Sequence, residues 1–303
     1  MKNRLKGNII LFFTAIIWGI SFVSQSVGME YIDPNTFMGI RTTMGGLVLL
    51  PFIFFTDRRK KKQGTYQKTN FKKLLVCGAI CGVFLCIAST LQTYGLKYTT
   101  TAKSGFLTAL YIIFVAILGL FYGKKLNFKM VIGVLTAVLG MYFLCLFGNN
   151  VTFNVGDFLT IICAIFFAGQ ILFIDKFVHE VDGIKLSCTQ FLISGGINLI
   201  LMFLIEQPNM TAILSCTTAL LYSGIMSCGV AYTLQVVGQQ YAEPTSASII
   251  MSFESVFAAI SGWIILSEAM NLSQIFGCLL MFLAIVLVQL PDKKMVLDCV
   301  KEA

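Results

Sequence analysis

The sequence predicts an all-α integral membrane protein whose ten transmembrane helices form two inverted repeats of five. Three observations predict this fold: the composition, ten long apolar runs, and a phrase that occurs twice. Of 303 residues, 57% are hydrophobic and 12% are charged, whereas about a quarter of the residues in soluble domains are charged. A soluble fold of this length could not bury so much apolar surface, but a bilayer can cover it.

The apolar residues are gathered into runs long enough to cross a membrane. A helix needs ~20 apolar residues to span the hydrocarbon core. The qualifying runs are approximately 8–27, 34–55, 74–95, 104–122, 130–147, 158–174, 186–205, 213–238, 246–266 and 272–290. Because these runs are continuously apolar rather than alternating, they predict helices and exclude a transmembrane barrel.

The distribution of basic residues predicts the orientation, because cytoplasmic loops retain Lys and Arg. If the N-terminus is inside, 19 of the 22 Lys and Arg residues lie in inner segments, and the exceptions are Arg41, Lys97 and Lys103. We therefore expect a multi-pass protein of the cell membrane with both termini in the cytoplasm. The basic run at 58–62 is interpreted as a contact with anionic lipid rather than with nucleic acid.

The chain repeats itself. The phrase TLQTYGLKY at 90–98 returns as TLQVVGQQY at 233–241, an offset of 143, and the preceding helices match at an offset of 149. Each half contains five predicted helices, an odd number, so the second half enters the membrane from the opposite side. We expect a first repeat over 1–149, an inverted second repeat over 150–290 and a cytoplasmic tail over 291–303. Inverted repeats can exchange conformations around a site near the midplane, although a duplication kept only for packing is the alternative.

Three segments carry a resemblance to a known family. WGISF at 18–22, GLKYTTTAKSGFLTALYIIFVAILGLFYGKKL at 95–126 and PTSASIIMSFESVFAAISGWIILSE at 244–268 resemble the EamA-type carriers of the drug/metabolite transporter superfamily. The resemblance implies ten helices around a central cavity and transport, most often export, of small metabolites. The family often has Pro within the fourth and ninth helices, whereas this chain has Val115-Ala116 and Ser255 there, so no proline kink is expected.

Polar residues within the predicted helices are the candidates for substrate contact, because intramembrane polar groups tend to face the bundle interior. Helical spacing places several of them on common faces, and the repeat pairs others as twins: Gln170 with Ser21, Gln235 with Gln92 and Glu254 with Tyr111. The predicted substrate-binding residues are Trp18, Ser21, Gln25, Arg41, Gln92, Lys103, Tyr111, Gln170, Gln235 and Glu254. The alternative for these side chains is hydrogen bonding between helices.

Three of these candidates are charged. Arg41 lies roughly 10 Å into the second helix and faces either the cavity or the lipid headgroups, and Lys103 is either an interface lysine or an attractor for an anionic group. Glu254 lies near the middle of the membrane. It either binds an amino group of the substrate or carries a coupling proton, or else it forms a structural ion pair or hydrogen bond.

Catalytic and cofactor motifs are missing from the sequence. It has no Walker A loop, Gly-x-Ser-x-Gly or His-Glu-x-x-His, and the ten scattered cysteines with one His predict packing thiols rather than a metal site. We therefore expect a secondary transporter without cofactors, not an enzyme, for small metabolites such as amino acids or related amphiphiles. A nucleotide-sugar or drug carrier is the nearest alternative, and a membrane-embedded enzyme or scaffold is a more distant one.

Overall fold

A computed structural model describes residues 2–66, 69–99, 101–124, 127–145, 147, 153–266 and 271–289. Eight helices in these ranges are long and apolar enough to cross a membrane, and two shorter apolar helices, Phe128–Phe143 and Leu272–Leu287, accompany them. This confirms the predicted helical membrane fold. The predicted tail, 291–303, lies outside the described residues.

The helices follow the order of the predicted runs, and three of those runs are divided. In the first half they are α1 (Lys2–Met29), α2 (Pro34–Lys62), α3 (Phe71–Leu96), α4 (Thr101–Ala109), α5 (Tyr111–Phe121) and α6 (Phe128–Cys145). In the second half they are α7 (Val155–Phe177), α8 (Gly183–Ile205), α9 (Met210–Ser215), α10 (Thr217–Leu221), a π-helical segment (Tyr222–Tyr232), α11 (Thr233–Gln239), α12 (Pro244–Met251), α13 (Glu254–Leu266) and α14 (Leu272–Gln289).

Twin helices of the two halves run antiparallel. The start of α2 contacts the residue that follows α8, through Asn35 and Glu206. At the other end of the same pair, Lys60 of α2 contacts Asp182, which caps the start of α8. The twins α6 and α14 also pack extensively against each other. The second half is therefore inverted relative to the first, as the repeat predicts.

The two halves are intertwined rather than side by side. Helix α1 packs mainly against α11 to α13 and the π-helical segment, which also packs against α2, and we call these elements the first bundle. Helix α7 packs mainly against α3, α4 and α5, and α8 packs against α3, so these five helices form the second bundle. The two bundles meet mainly along the twins α2 and α8. Close approach within the first bundle depends on Gly19, because a Cβ there would collide with Phe257 of α13. Any central site is thus enclosed by two bundles, each built from both repeats.

The fourth and ninth predicted runs are broken at equivalent places. Helix α5 begins at Tyr111 and α13 begins at Glu254, and these two residues are twins at the offset of 143. Tighter turns replace α-helical hydrogen bonding at both breaks: Leu110 N–H donates to Leu107 (3.3 Å) and Phe253 N–H donates to Ile250 (3.3 Å). The breaks occur without proline, so their cause lies in tertiary packing rather than in a residue that cannot be helical.

The eighth predicted run, 213–238, is not one regular helix. Its centre is the π-helical segment Tyr222–Tyr232, in which backbone hydrogen bonds join residues five apart instead of the four of an α-helix. Glycines bring this segment against α2, since a Cβ on Gly45 would meet Cys228 and a Cβ on Gly224 would meet Met44. Hydropathy alone could not predict this change of helix type.

The sixth predicted run, 158–174, proves longer, because α7 covers Val155–Phe177. A capping box starts the helix earlier: the Asn154 side chain accepts from Asp157 N–H (3.0 Å) and Asp157 accepts from Asn154 N–H (2.8 Å). At the other end the helix continues past Asp175, which forms an ion pair with Lys124 (2.6 Å). A prediction based on the length of an apolar run therefore ends the helix too early where its terminal turns contain polar residues that form caps or ion pairs.

Candidate functional site

A cavity lies between the two bundles. Its volume is about 40 Å³, which is room for a few water molecules. It is lined by Trp18, Ser21, Phe22, Gln25, Arg41, Gln92, Thr108, Tyr111, Phe167, Gln170, Ile171, Ser227, Tyr232, Gln235, Met251 and Glu254. Nine of the ten residues predicted from the sequence are in this set. The tenth, Lys103, belongs to α4, and its side chain lies outside the described part of the structure.

The lining is organised by the repeat. Twelve of the sixteen lining residues are six twin pairs: Trp18 with Phe167, Ser21 with Gln170, Phe22 with Ile171, Gln92 with Gln235, Thr108 with Met251 and Tyr111 with Glu254. The cavity therefore lies on the axis that relates the two repeats, which is where alternating access around a fixed site requires it.

Arg41 is a buried cation beside the cavity. Its side chain is 2% exposed, and its Nε and Nη1 have no hydrogen-bond partner among the described residues. The guanidinium lies over the Phe37 ring, 5.7 Å from its centroid, and next to Cys228 and Tyr232. No described carboxylate forms an ion pair with it. A buried guanidinium with unused donors is costly, so this arrangement suits an anionic guest.

Glu254 is a buried acid in the same cavity. It is 4% exposed and begins α13, facing its twin Tyr111. The Tyr111 hydroxyl and the Glu254 carboxyl are close enough to share a hydrogen bond. Within the described residues Glu254 forms no ion pair, so of the two structural alternatives the contact with Tyr111 supports the hydrogen bond.

The amides around the cavity are only partly satisfied. Gln92 Nε2 donates to Thr108 Oγ1 (3.0 Å) and Gln170 Nε2 donates to Gln190 Oε1 (3.1 Å). Several other buried polar atoms of the lining have no partner among the described residues: Trp18 Nε1, Ser21 Oγ, Gln25 Oε1, Gln170 Oε1 and Gln235 Oε1. Because buried polar groups are normally hydrogen-bonded, these atoms are available to a guest or to water.

Two other buried polar residues, Thr14 and Gln239, form hydrogen bonds within or between helices instead of lining the cavity. The Thr14 hydroxyl donates to the Ile10 carbonyl (3.2 Å) or to the Ala231 carbonyl (3.3 Å). Gln239 Nε2 donates to the Ile171 carbonyl (3.1 Å). These residues have the helix-bonding role that the sequence left open as the alternative.

Ion pairs and hydrogen bonds join the two bundles at both ends of the molecule. At the end that carries residues 57–62, which we call the basic face, Asp57 pairs with Lys185 (2.8 Å) and Lys60 with Asp182 (2.8 Å). At the opposite face, Lys97 pairs with Asp33 (2.6 Å).

The opposite face has a second closing contact at Glu206. Its Oε1 accepts from Asn35 N–H (2.8 Å) and Nδ2 (2.8 Å), and its Oε2 accepts from Thr36 N–H (2.7 Å) and Oγ1 (2.7 Å). Ligand pockets usually measure about 300–1,000 Å³, so the cavity is smaller than a typical substrate pocket, and we interpret the contacts at the two faces as those of a closed conformation.

A metal centre is not indicated. Among the described residues there is no group of three or more His, Cys, Asp or Glu side chains that could hold a metal ion. The chemistry available in the cavity is therefore ionic contact, hydrogen bonding and aromatic contact; the Trp18 and Tyr232 rings, for example, lie 4.6 Å apart.

Comparison with known proteins identifies the family. The model of the EamA-like transporter family matches twice, at residues 5–146 and 154–290. An uncharacterized transporter of Archaeoglobus fulgidus is 30% identical over 293 residues, which cover 95% of this chain and 87% of that protein. The uncharacterized transporter YoaV of Bacillus subtilis is 23% identical, with 88% and 90% covered. A solved crystal structure shares the fold with a TM-score of 0.76 at 16% identity, covering 94% of this chain and 96% of that one. The chain is therefore a member of the EamA-type transporter family of the drug/metabolite transporter superfamily.

Proposed function

We propose that this transporter exports small zwitterionic metabolites, such as amino acids or related amphiphiles, by alternating access. The observation that carries the proposal is that the Arg41 guanidinium and the Glu254 carboxyl are both buried and line one cavity without an ion pair to each other. A guest with one anionic and one cationic group would satisfy both. The surrounding aromatic rings and free amides suit its apolar and polar parts.

The proposed cycle breaks one set of closing contacts at a time. Opening the basic face separates Asp57 from Lys185, and opening the other face separates Glu206 from α2. Because the twin helices α2 and α8 carry both sets, the two openings are related by the repeat. This cycle involves no bond chemistry, which accords with a carrier rather than an enzyme.

We further propose that the protein lies in the cell membrane with both termini in the cytoplasm, so that the basic face is the inner face. The concentration of Lys and Arg there supports this orientation. In a cysteine-free protein, a Cys at position 30 should react with an impermeant maleimide added to intact cells, whereas a Cys at position 62 should not. External labelling at 62 would reverse the orientation.

Glu254 is proposed to contact the amino group of the substrate or to carry a coupling proton. A release screen, comparing metabolites in the medium of cells that overexpress or lack the protein, identifies the substrate. The purified protein is then reconstituted with that substrate, and Glu254→Gln is compared with Glu30→Gln, an exposed carboxylate.

The two roles of Glu254 give different results. Loss of substrate binding in Glu254→Gln indicates substrate contact, and loss of pH-gradient dependence with binding retained indicates proton coupling. Unchanged binding, transport and pH response would exclude both roles. Release or competition by a nucleotide sugar or a cationic drug, in place of a zwitterion, would reassign the substrate class.

A further inference from the structure

The cavity departs from twofold symmetry on one side. Four lining residues have no lining twin, and we call this set the arginine compartment: Gln25, Arg41, Ser227 and Tyr232. Their twins, at the same offsets of 149 and 143, are Ile174, Gln190, Phe84 and Ser89. The compartment is therefore present once, although the chain contains two halves that could have built it.

The equivalent place in the other half is filled by protein. Gln190 accepts a hydrogen bond from Gln170 (3.1 Å), and Ile174 is fully buried in apolar packing. The Phe84 ring packs against Phe173 with the centroids 5.2 Å apart, and the Ser89 hydroxyl donates to the Leu85 carbonyl of its own helix. A guest could therefore extend from the axis on one side but not on the other.

The π-helical segment explains how the compartment forms. Ser227 and Tyr232 are five residues apart, about one turn of a π-helix, so both reach the cavity. In a regular α-helix, with 3.6 residues per turn, side chains five apart point about 140° away from each other. Their twins Phe84 and Ser89 lie in the regular helix α3, and neither lines the cavity. The change of helix type thus brings a second hydroxyl into the lining of the cavity.

The chemistry of the compartment is that of an anion site. The unused Nε and Nη1 of Arg41 carry three N–H donors, and Tyr232 and Ser227 add hydroxyl groups. Glu254 is the only carboxylate among the lining residues, and it lies at the start of α13, outside the compartment. A charged group can be retained in such surroundings when an opposite charge with matching hydrogen bonds arrives.

We propose that the arginine compartment binds the carboxylate of the transported metabolite and so holds it in one orientation, off the symmetry axis. This inference rests on the proposed function, since it assigns one end of the proposed substrate. Ser227 and Tyr232 become specificity-determining residues, and compounds that have the amine but no carboxylate are rejected.

Tryptophan fluorescence tests the proposal without a known substrate. The chain has two tryptophans, and Trp263 is 54% exposed, so Trp263→Phe leaves Trp18 as the reporter inside the cavity. The probes are trichloroacetate, a carboxylate that quenches tryptophan, and trichloroacetamide, its neutral counterpart. They are added to the purified full-length protein at constant ionic strength.

The expected result is saturable quenching by trichloroacetate alone. Arg41→Gln should weaken its affinity about 10- to 100-fold, the usual effect of losing hydrogen bonds to a charged group. Ser227→Ala and Tyr232→Phe should each weaken it about 2- to 10-fold. Ser89→Ala, at the twin position of Tyr232, is the matched control and should leave the affinity unchanged.

The outcomes separate this inference from the proposed function, because binding is measured without a membrane gradient. Trichloroacetate binding that depends on Arg41 supports the compartment even if the release screen finds no metabolite. No saturable quenching in the parent protein, or equal affinity for the two probes, overturns it. If Arg41→Gln does not fold, by size-exclusion profile, the Ser227 and Tyr232 variants decide: unchanged affinity in both overturns the proposal.

Discussion

Glu206 is the residue whose replacement should most clearly alter the balance between closed and open conformations. The four hydrogen bonds that it accepts from Asn35 and Thr36 join the second bundle to the start of α2 in the first. A glutamine keeps one carbonyl oxygen and presents an N–H₂ group where the second oxygen was. Glu206→Gln therefore leaves the donors of either Asn35 or Thr36 without an acceptor.

The size of the effect follows from these contacts. A hydrogen bond to a charged group contributes about 1.5–3 kcal/mol, and a negative charge at a helix N-terminus adds about 0.3–1 kcal/mol. We expect the closed state to lose about 2–3 kcal/mol relative to the state that is open at this face. At about 1.4 kcal/mol per tenfold, the open population should rise roughly 30- to 150-fold.

Labelling of the cavity measures this shift. A single Cys at position 21, in an otherwise cysteine-free protein, is reacted with a maleimide in right-side-out and in inverted vesicles. Glu206→Gln should increase the labelling rate from the face that carries Asp33 and Glu206.

The twin position provides the matched control, because Asp57 is equivalent to Glu206 at the offset of 149 and makes one partly exposed ion pair. Asp57→Asn should act at the basic face, and by no more than about 1 kcal/mol, or about fivefold. Unchanged rates in Glu206→Gln, or an increase at the same face in both variants, would refute the reasoning.

Two further predictions concern stability. Burial raises the pKa of the Asp182 carboxyl, but the hydrogen bond and charge of Lys60 outweigh it and hold that pKa below its ordinary value of 3.8. The Lys60 contact thus stabilises the fold above pH 3.8, and this stabilisation is lost as the pH falls through the lower folded-state pKa of Asp182. Lys60→Gln should therefore raise the pH at which acid unfolding begins. An unchanged onset in a fluorescence titration would contradict this. Gly19→Ala should destabilise the protein by about 1–3 kcal/mol through overpacking against Phe257. Gly196→Ala is the control and should be neutral, because a Cβ there meets nothing within 4 Å. Equal thermal unfolding temperatures of the two variants in detergent would contradict the prediction and show that α1 and α13 adjust freely.

Much of the architecture could be predicted because the membrane imposes it. Continuous apolar length predicts spans, and the repeated phrase predicts their inversion. The breaks before Tyr111 and Glu254 could not be predicted in this way, because neither run contains proline and the polar residues around Glu254 are compatible with a continuous helix. The π-helical segment could not be predicted from the sequence either, because it depends on close packing with another helix, where Gly45 of α2 approaches Cys228.

The cavity was more predictable than the helix breaks because the repeat marks positions twice. Phe167 and Met251 carry no polar signal, yet they are the twins of Trp18 and Thr108, so extending the twin rule to apolar residues would have found them. The twin rule could not have predicted Ser227 as a lining residue, because its twin Phe84 lies outside the cavity. Ser227 lines the cavity because of the change of helix type, which only the folded structure reveals.

The facing of Tyr111 and Glu254 across the axis has a consequence for the origin of such carriers. If two separate, identical five-helix chains formed this cavity, every charge would occur twice. Two carboxyl groups would then face each other at this point, and at such a short distance the charge on one would disfavour ionisation of the other. A guest would also have two equivalent poses, with neither end of the cavity distinguishable from the other. Covalent fusion of the halves removes both restrictions, since one copy can keep the acid while the other changes to a phenol. The linked chain can therefore maintain an electric dipole across a site whose backbone remains nearly twofold.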